Sequence, residues 1–257
     1  MRLLLVVGAL VWGALALTVF ATPLAASAIT RGSESVWLWY ALTESGGYLG
    51  STVIVLVTGA WLVWRTAGPF GRRIAASATL ILLLGGILVG VATLNERVVK
   101  RNLDVPRPSH LLLKRRGVID GRLADFYHRS RADRRRLIAH RLVVRRATVA
   151  DIEPIVLRHW NAEVGRSFPS GHALNAFLLA GLLAALGSIF GVRPSIAAIG
   201  FVWAGLVGAS RVALGVHGPL DVTIGAFAGG AIAALLVASG AWRWLLLRLF
   251  PRTVDAN

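Results

Sequence analysis

Three short polar stretches, each next to an apolar run, hold the side chains whose types and spacing are suited to chemistry. In chain order they contribute Lys100, Arg107, Ser170, Gly171, His172, Arg211, His217 and Asp221. Cations, histidines and a carboxylate are the groups that bind a phosphate dianion and stabilise transfer of its phosphoryl group. These residues therefore form the candidate site.

The cations and the glycine of these stretches are suited to holding phosphate oxygens. Arg107 and Arg211 can each bind two oxygens through a planar guanidinium, and Lys100 adds a point charge. Ser170 offers a hydroxyl. Gly171 begins an apolar run, where unpaired backbone N–H groups and the helix dipole favour an anion. We expect this set to bind the phosphate.

The histidines are suited to nucleophilic and acid–base roles. His217 and Asp221 are four residues apart, and Pro219 is well placed in the first turn of a helix. On a helical path both side chains face the same way, so Asp221 can accept the Nδ1 proton of His217 and leave Nε2 as the nucleophile. His172 is then the general acid for the leaving oxygen. The remaining histidines are interpreted as satisfied interface residues: His110, His128, His140 and His159.

No metal or other cofactor is expected at the site. A two-metal phosphatase needs a cluster of carboxylates. The carboxylates near the three stretches are Asp104, Glu163 and Asp221, and each is close in sequence to a cation or a histidine. The Gly-x-x-x-x-Gly-Lys-Ser/Thr pattern of nucleotide hydrolases is absent from the sequence.

Membrane helices are the elements that must position these groups. The 257 residues are 56% hydrophobic. Apolar runs near the roughly 20 residues that cross a bilayer recur along the chain, and they are continuous rather than alternating. We predict an all-α integral membrane protein, a single domain over residues 1–257, with six spans. The runs cover about residues 3–24, 49–64, 74–94, 173–190, 195–210 and 221–248.

Two of these runs depart from a simple span. The first could be a signal peptide, because Ala25-Ala26-Ser27-Ala28 offers small residues for cleavage, but it is longer than a usual signal core. We favour a retained helix. The last run is long and contains Gly229-Gly230, where a tilt or kink is expected.

Residues 97–166 form a long basic segment, with 18 Lys and Arg against 7 Asp and Glu. Such a segment suggests an anionic partner, although a solvated basic loop is the alternative. Residues 121–147 mix apolar side chains with arginines, which predicts one or two amphipathic helices on the membrane face. Thr148-Val149-Ala150-Asp151 resembles a capping box before a further helix. The run Arg134-Arg135-Arg136 is expected to face solvent or lipid.

The short loops predict the orientation of the chain. Arg65, Arg72 and Arg73 share one loop, whereas the loop around Arg31 and Glu34 is nearly neutral. The positive-inside rule therefore puts both termini in the cytoplasm, and a loop of more than about 60 residues is largely exempt from that rule. With six spans, the basic segment and all three polar stretches lie on the outer side.

The three stretches together resemble the signature of the type 2 phosphatidic acid phosphatase superfamily. The matching patterns are Lys100-x6-Arg107-Pro108, Pro169-Ser170-Gly171-His172 and Ser210-Arg211-x5-His217-x3-Asp221. Over about residues 75–240 the chain is similar to the bacterial phosphatidylglycerophosphatase B branch, which has a similarly long loop. Gly218 departs from the pattern, because many members have an aromatic residue after the histidine.

This resemblance implies a fold, a location and a mechanism. The membrane core spans 75–240, and the insertion 97–166 is a periplasmic helical loop between helices 3 and 4 of a bacterial inner-membrane protein. His217, oriented by Asp221, attacks phosphorus, and His172 protonates the leaving oxygen. Water then cleaves the phosphohistidine. The implied substrates are phosphatidylglycerol phosphate, phosphatidic acid, lysophosphatidic acid and undecaprenyl pyrophosphate, and no nucleic acid is expected as a partner.

Other functions remain open from the sequence. A lipid phosphotransferase of the same family would pass the phosphoryl group to another lipid instead of water. Hydrolysis of undecaprenyl pyrophosphate is a second alternative for the main role. A non-enzymatic protein that tethers anionic partners through the basic segment would leave the spacing of the three stretches unexplained.

Overall fold

The computed structural model describes residues 2–24 and 28–251, and its regular structure there is helical. The described residues contain one isolated β-bridge, between Thr30 and Ile152, and no strand. The all-helical class predicted from the sequence is confirmed for this part of the chain. The helices are α1 (Arg2–Ala21), α2 (Ser35–Ser45), α3 (Tyr48–Arg65), α4 (Phe70–Leu103), α5 (Pro108–Arg115), α6 (Leu123–His128), α7 (Arg131–Val144), α8 (Pro154–Ala162), α9 (Gly171–Ile189), α10 (Pro194–Ala213), α11 (Pro219–Ala238) and α12 (Ala241–Leu249).

Five described helices are long and apolar enough to cross a membrane: α3, α4, α9, α10 and α11. The apolar part of α1, Leu5–Ala21, is shorter. The predicted first span, and with it the count of six, therefore stays a prediction, as does the side of the membrane that carries the long loop. Of the small residues considered for cleavage, 25–27 lie outside the described residues.

The third apolar run ends at Leu94 as predicted, while α4 continues past it to Leu103 through the π-helical segment Asn95–Val99. The extent of the last predicted helix was wrong. The last run is not one kinked helix. It passes through Gly229-Gly230 unbroken, and α11 ends at Ala238 before Gly240 adopts a φ of 77°. Glycine takes this left-handed conformation without the steric cost of a Cβ, so it separates α11 from α12.

Helix α9 is the centre of the membrane part and packs against α10 and α11. Two glycines of α11 allow the closest approach. A Cβ at Gly225 would lie 2.5 Å from the carbonyl oxygen of Ser170, and one at Gly229 would lie 2.0 Å from that of Leu174. Small residues let membrane helices approach closely enough for backbone contact. This contact fixes the start of α11 beside the start of α9.

The remaining long helices surround this centre less tightly. Helices α3 and α4 form a pair, and α4 contacts α9. Helix α1 packs along α10 and α11, where the Trp12 indole donates to the carbonyl oxygen of Thr223 at 2.9 Å. Apolar side chains remain exposed on the outer faces of α3 and α4, as expected for surfaces in contact with lipid.

Residues 104–170, here called the cap, contain α5 to α8 around a small apolar core of their own. Trp160 is buried in it, and its indole donates to the carbonyl oxygen of Leu214 at 2.6 Å, which fastens the cap to the end of α10. The buried apolar residues of the cap include Leu113, Val118, Ile119, Phe126, Tyr127, Ile138, Ile155, Val156 and Val164.

The cap confirms some sequence predictions and overturns others. Residues 121–147 do contain a pair of helices, α6 and α7. The helix through Trp160 exists, but Glu153 precedes it and Pro154 starts it, so the proposed capping box was wrong. Arg134 was also misassigned, because its side chain is buried and donates to the carbonyl oxygen of Val164 at 2.6 Å.

Candidate active site

The three polar stretches meet where the ends of the membrane helices lie beneath the cap. Lys100 is in the last turn of α4, Arg107 precedes α5, Arg211 is in the last turn of α10, and Asp221 is in the first turn of α11. The structure thus brings all the predicted site residues to one region. Those that line a shared cavity are Lys100, Arg107, Gly171, His172 and His217, while Ser170, Arg211 and Asp221 are buried against residues that line it.

His217 and Asp221 are adjacent, but not because they share a helix. His217 lies in the turn before α11, and the Asp221 carboxylate folds back to accept the Gly218 backbone N–H at 2.7 Å. His217 Nδ1 is 3.4 Å from Asp221 Oδ2. The sequence-based contact was right, whereas the helical path assumed for it was wrong.

Ser167 is a third member of this group that the sequence reasoning missed. Its hydroxyl donates to Asp221 Oδ2, and its Oγ is 3.2 Å from His217 Nδ1. The Ser170 backbone N–H donates to the Asp221 carbonyl oxygen at 2.8 Å, which joins the second and third polar stretches. Ser167 precedes Phe168-Pro169, so proximity to the second stretch was its only signal in the sequence.

Burial gives His217 the character of a neutral base. Burial, reinforced by Arg107 and Arg211, holds the pKa of His217 well below its usual 6.5. The imidazole is therefore uncharged at neutral pH. With Nδ1 facing the carboxylate and the serine, the proton belongs on Nδ1 and the lone pair on Nε2.

Arg107 is held in place from several directions. Its Nε donates to the carbonyl oxygen of Gly165 at 2.9 Å, and Nη1 donates to that of Val216 at 3.1 Å. Nη1 is also 3.2 Å from His217 Nε2. The Tyr127 hydroxyl accepts the Arg107 backbone N–H at 3.1 Å. The guanidinium and His217 Nε2 therefore face the same space.

Glu163 links the two arginines of the site. Arg211 is fully buried, and its Nη2 donates to Glu163 Oε1 at 2.7 Å. Arg107 Nη2 is 2.7 Å from Glu163 Oε2. Although burial raises the pKa of this carboxyl, Arg211 and Arg107 outweigh burial and hold the pKa well below 4.5. Glu163 is therefore an anion between two guanidinium groups.

His159 completes the surroundings of Arg211 and was wrongly assigned to an interface. Its Nε2 is 3.1 Å from Arg211 Nη1, which also donates to Thr43 Oγ1 at 2.6 Å. Burial, reinforced by Arg211, lowers the pKa of His159 to about 3. Its Nε2 is thus a neutral acceptor for an arginine N–H.

Lys100 belongs to a second ion cluster at the edge of the cavity. Its ammonium is buried and pairs with Glu96, one helical turn earlier, and Glu96 also pairs with Arg131 of α7. Glu96 lies within the π-helical segment Asn95–Val99, and Lys100 directly follows it. Such bulges are frequent at functional sites.

The second polar stretch forms the start of α9. The Ser170 side chain is the N-cap of this helix, and its Oγ accepts from the Ala173 N–H at 3.5 Å. Gly171 and His172 follow and line the cavity. His172 Nε2 is 3.6 Å from the point where a Cβ at Gly47 would lie, so the turn between α2 and α3 covers the histidine.

The cavity has a volume of about 610 Å³ and two unlike ends. Its polar end is lined by the three histidines of the site and by two of its cations: His159, His172, His217, Lys100 and Arg107. Its other end is an apolar groove between α3 and α4. The groove is lined by Val55, Leu56, Ile81, Leu88, Val89 and Ala92.

Comparison with known proteins shows the family of the chain. A model of the PAP2 superfamily matches residues 74–245, and the chain belongs to this superfamily. The resemblance predicted from the three stretches is thereby confirmed. The family, together with the apolar helices, supports a multi-pass membrane phosphatase.

Curated relatives narrow the comparison to one kind of enzyme. Phosphatidylglycerophosphatase B from Escherichia coli K12 is 29% identical to this chain over 220 residues, which cover 84% of this chain and 79% of the relative. The proteins of the same name from Escherichia coli O157:H7 and Shigella flexneri match with the same values. These relatives support a lipid phosphatase.

Proposed function

We propose that the protein is a metal-independent lipid phosphate phosphatase that forms a phosphohistidine intermediate. It hydrolyses phosphate monoesters or pyrophosphates of membrane lipids, with phosphatidylglycerol phosphate, phosphatidic acid and undecaprenyl pyrophosphate as candidate substrates. In the proposed topology it lies in a bacterial inner membrane, and the site faces the periplasm. The chain would act as a single membrane domain in which the cap covers the reacting groups.

The arrangement of the two His217 nitrogens is the observation that carries this proposal. Nδ1 faces Asp221 and Ser167, while Nε2 faces Arg107 at 3.2 Å. A neutral imidazole held in this tautomer is a nucleophile for an electrophile bound at the arginine. Asp221 also stabilises the positive charge that the ring gains as it bonds to phosphorus.

Arg107 and Arg211 are suited to holding the phosphate. Both bind the Glu163 carboxylate, so both already converge on one anion. A phosphate dianion in that position would receive two charged donors, with further N–H groups from Gly171 and His172 at the start of α9. Lys100 would add positive charge, and the Ser170 hydroxyl would donate its free proton.

The proposed reaction has two steps. His217 Nε2 forms a bond to phosphorus, the ester P–O bond breaks, and His172 donates a proton to the departing oxygen. In the second step water attacks phosphorus with His172 accepting its proton, and the P–N bond breaks. The apolar groove between α3 and α4 supports a substrate with a hydrocarbon chain, because the chain can lie in the groove without being exposed to water or to polar groups.

Purified protein assayed with EDTA against the three candidate lipids tests the proposal. Hydrolysis in EDTA is expected, whereas loss of activity that magnesium restores would refute metal independence. Rapid quench should trap a phosphoenzyme in the wild type and none in His217→Ala. Transfer of labelled phosphoryl groups to lipid instead of water would identify a phosphotransferase.

His172→Ala separates the roles of the two histidines. General acid help is typically worth about 10² to 10⁴ in rate, and a good leaving group needs little of it. This variant should therefore still form the phosphoenzyme with a p-nitrophenyl phosphate ester. A phosphoenzyme in His217→Ala but not in His172→Ala would show that the two roles are reversed.

A further inference from the structure

We infer that Arg131 and Arg135 form a second anion subsite next to the reacting phosphate, which selects lipids that carry two phosphate groups. This inference rests on the proposed phosphatase function, since it concerns the substrate of the same site. Arg131 and Arg135 belong to the cap and have no role in the proposed reaction.

Two carboxylates mark two separate anion positions in the cavity. Glu163 lies between Arg107 and Arg211, and Glu96 lies between Lys100 and Arg131. The first pair is the proposed holder of the reacting phosphate. The second pair shows the same arrangement, an anion between two cations, and of these two cations only Lys100 has a role in the proposed reaction.

The two anion positions are neighbours. A Cβ at Gly165 would lie 3.5 Å from Arg131 Nη2, 3.5 Å from Glu96 Oε2 and 3.8 Å from Arg107 Nη2. Glycine leaves the space between the two guanidinium groups open. Glu96 and Glu163 neutralise these two guanidinium groups, and a substrate phosphate that displaces Glu96 would take its place beside Arg131.

Helix α4 places the second position next to the apolar groove. Its cavity-lining residues follow one another at intervals of four, from Leu88 and Ala92 in the apolar groove to Glu96 and Lys100. Residues four apart lie on the same face of a helix. A lipid whose chain lies in the groove would therefore have the second anion position beside its headgroup.

Arg135 adds a further cation at this edge. It lines the cavity together with Arg131, one turn earlier on α7, and donates to the carbonyl oxygen of Ala162 at 2.9 Å. The cavity is lined by four cations against three carboxylates. The cations are Lys100, Arg107, Arg131 and Arg135, and the carboxylates are Glu44, Glu96 and Glu163.

The ligand chemistry is a phosphate group on the lipid side of the phosphate that is removed. In a diphosphate, this second phosphate is directly bonded to the one that is removed. In a phosphomonoester joined through glycerol to a phosphodiester, the second phosphate lies a few bonds away. A lipid with one phosphate has no second phosphate group. Matched substrate pairs therefore isolate the subsite: farnesyl phosphate against farnesyl diphosphate, and phosphatidic acid against phosphatidylglycerol phosphate.

The test measures KM and kcat of the wild type, Arg131→Gln and Arg131→Gln/Arg135→Gln for both pairs in mixed micelles. We expect KM for the two-phosphate member of at least one pair to rise by about ten- to hundredfold, the range for one lost charge-assisted hydrogen bond. KM for the one-phosphate members should change little. Arg136→Gln, on the same helix but not lining the cavity, is the matched control.

Glu96→Gln provides a change in the opposite direction. Removing this carboxylate frees Lys100 and Arg131, so KM for the preferred two-phosphate lipid should fall, an effect that general destabilisation would not produce. The pair that responds shows which phosphate spacing the subsite accepts. Equal changes for one- and two-phosphate lipids, or no change, would overturn the subsite, whereas a wild type inactive on all four lipids would instead overturn the proposed function.

Discussion

Glu163 bonds to both arginines that the proposed reaction assigns to the phosphate. A substrate phosphate must displace this carboxylate before it can bind in the same way. The resting site is thus occupied by an internal anion. The net affinity for phosphate is the difference between the free energy with which the two arginines bind phosphate and the free energy with which they bind Glu163. Sequence reasoning missed this, because a glutamate next to a basic segment looks like an ordinary counterion.

Glu163→Gln should change the pH dependence of stability. The folded-state pKa of Glu163 lies well below its usual 4.5, so its ionised form stabilises the folded protein above pH 4.5. That contribution is lost as pH falls through the lower folded-state pKa. We expect the wild type to lose thermal stability on acidification, and Glu163→Gln to be less stable at pH 7 with a shallower loss below pH 4.5.

Thermal unfolding in detergent between pH 7 and pH 3 measures this change. Asp133→Asn is a suitable control, because Asp133 is exposed and its pair with Arg136 at 3.6 Å contributes little. Phosphate should also inhibit Glu163→Gln more strongly than it inhibits the wild type. A pH profile that the glutamine leaves unaltered would argue against the ionised role of Glu163.

The other site residues show what spacing alone can predict. The contact between His217 and Asp221 was predicted correctly, because a spacing of four positions brings the two side chains together in the turn that actually forms as well as in a helix. Ser167 was not predicted, since its place depends on the close approach of α9 and α11. Glu163 and His159 have partners that are distant in sequence. Their places at the site can therefore be recognised only from the folded structure of the cap.

At the level of elements, the contact between α9 and α11 is the most sensitive to added volume. Gly229→Ala would put a methyl group 2.0 Å from the carbonyl oxygen of Leu174, so the helices must separate. Overpacking of this kind costs about 1–3 kcal/mol. We expect lower thermal stability and a large loss of activity, because Asp221 and Ser170 would move apart.

Gly230→Ala is the matched control for this prediction. Gly230 is the next residue on the same helix, and a Cβ there meets no atom within 4 Å. Alanine also favours helix by up to about 1 kcal/mol relative to glycine. The control should be at least as stable and as active as the wild type, and equal behaviour of the two variants would contradict the packing account.

These two glycines also show why sequence predicts helices better than their contacts. The apolar runs located the five long helices, since length and hydropathy are local properties. The glycine pair was expected to tilt or kink the last span, whereas the structure uses one of the two for contact and leaves the other free. Which glycine faces α9 depends on the rotation of α11, and an apolar run with small residues on several faces does not specify that rotation.

At the level of the whole molecule, the proposed topology places the cap outside the cytoplasmic membrane. The sequence contains no cysteine, so Arg136→Cys introduces the only thiol, at a side chain that is 82% exposed. In intact spheroplasts of a bacterial host, a membrane-impermeant maleimide should label this cysteine. Arg72→Cys, in the first turn of α4 next to the loop between α3 and α4, should be labelled only after permeabilisation. The reverse pattern would invert the topology.

The glycine contact between α9 and α11 also determines when the protein can become active during its synthesis. Chains emerge from the ribosome with the N-terminus first. Lys100, Arg107 and His172 therefore precede His217 and Asp221, which arrive immediately before or within α11, the last of the long helices. Until α11 docks on α9, the nascent chain would have the proposed phosphate-binding groups but no positioned His217. An incompletely inserted chain is therefore expected to be inactive, and a chain stalled before α11 should add no phosphatase activity to the membrane.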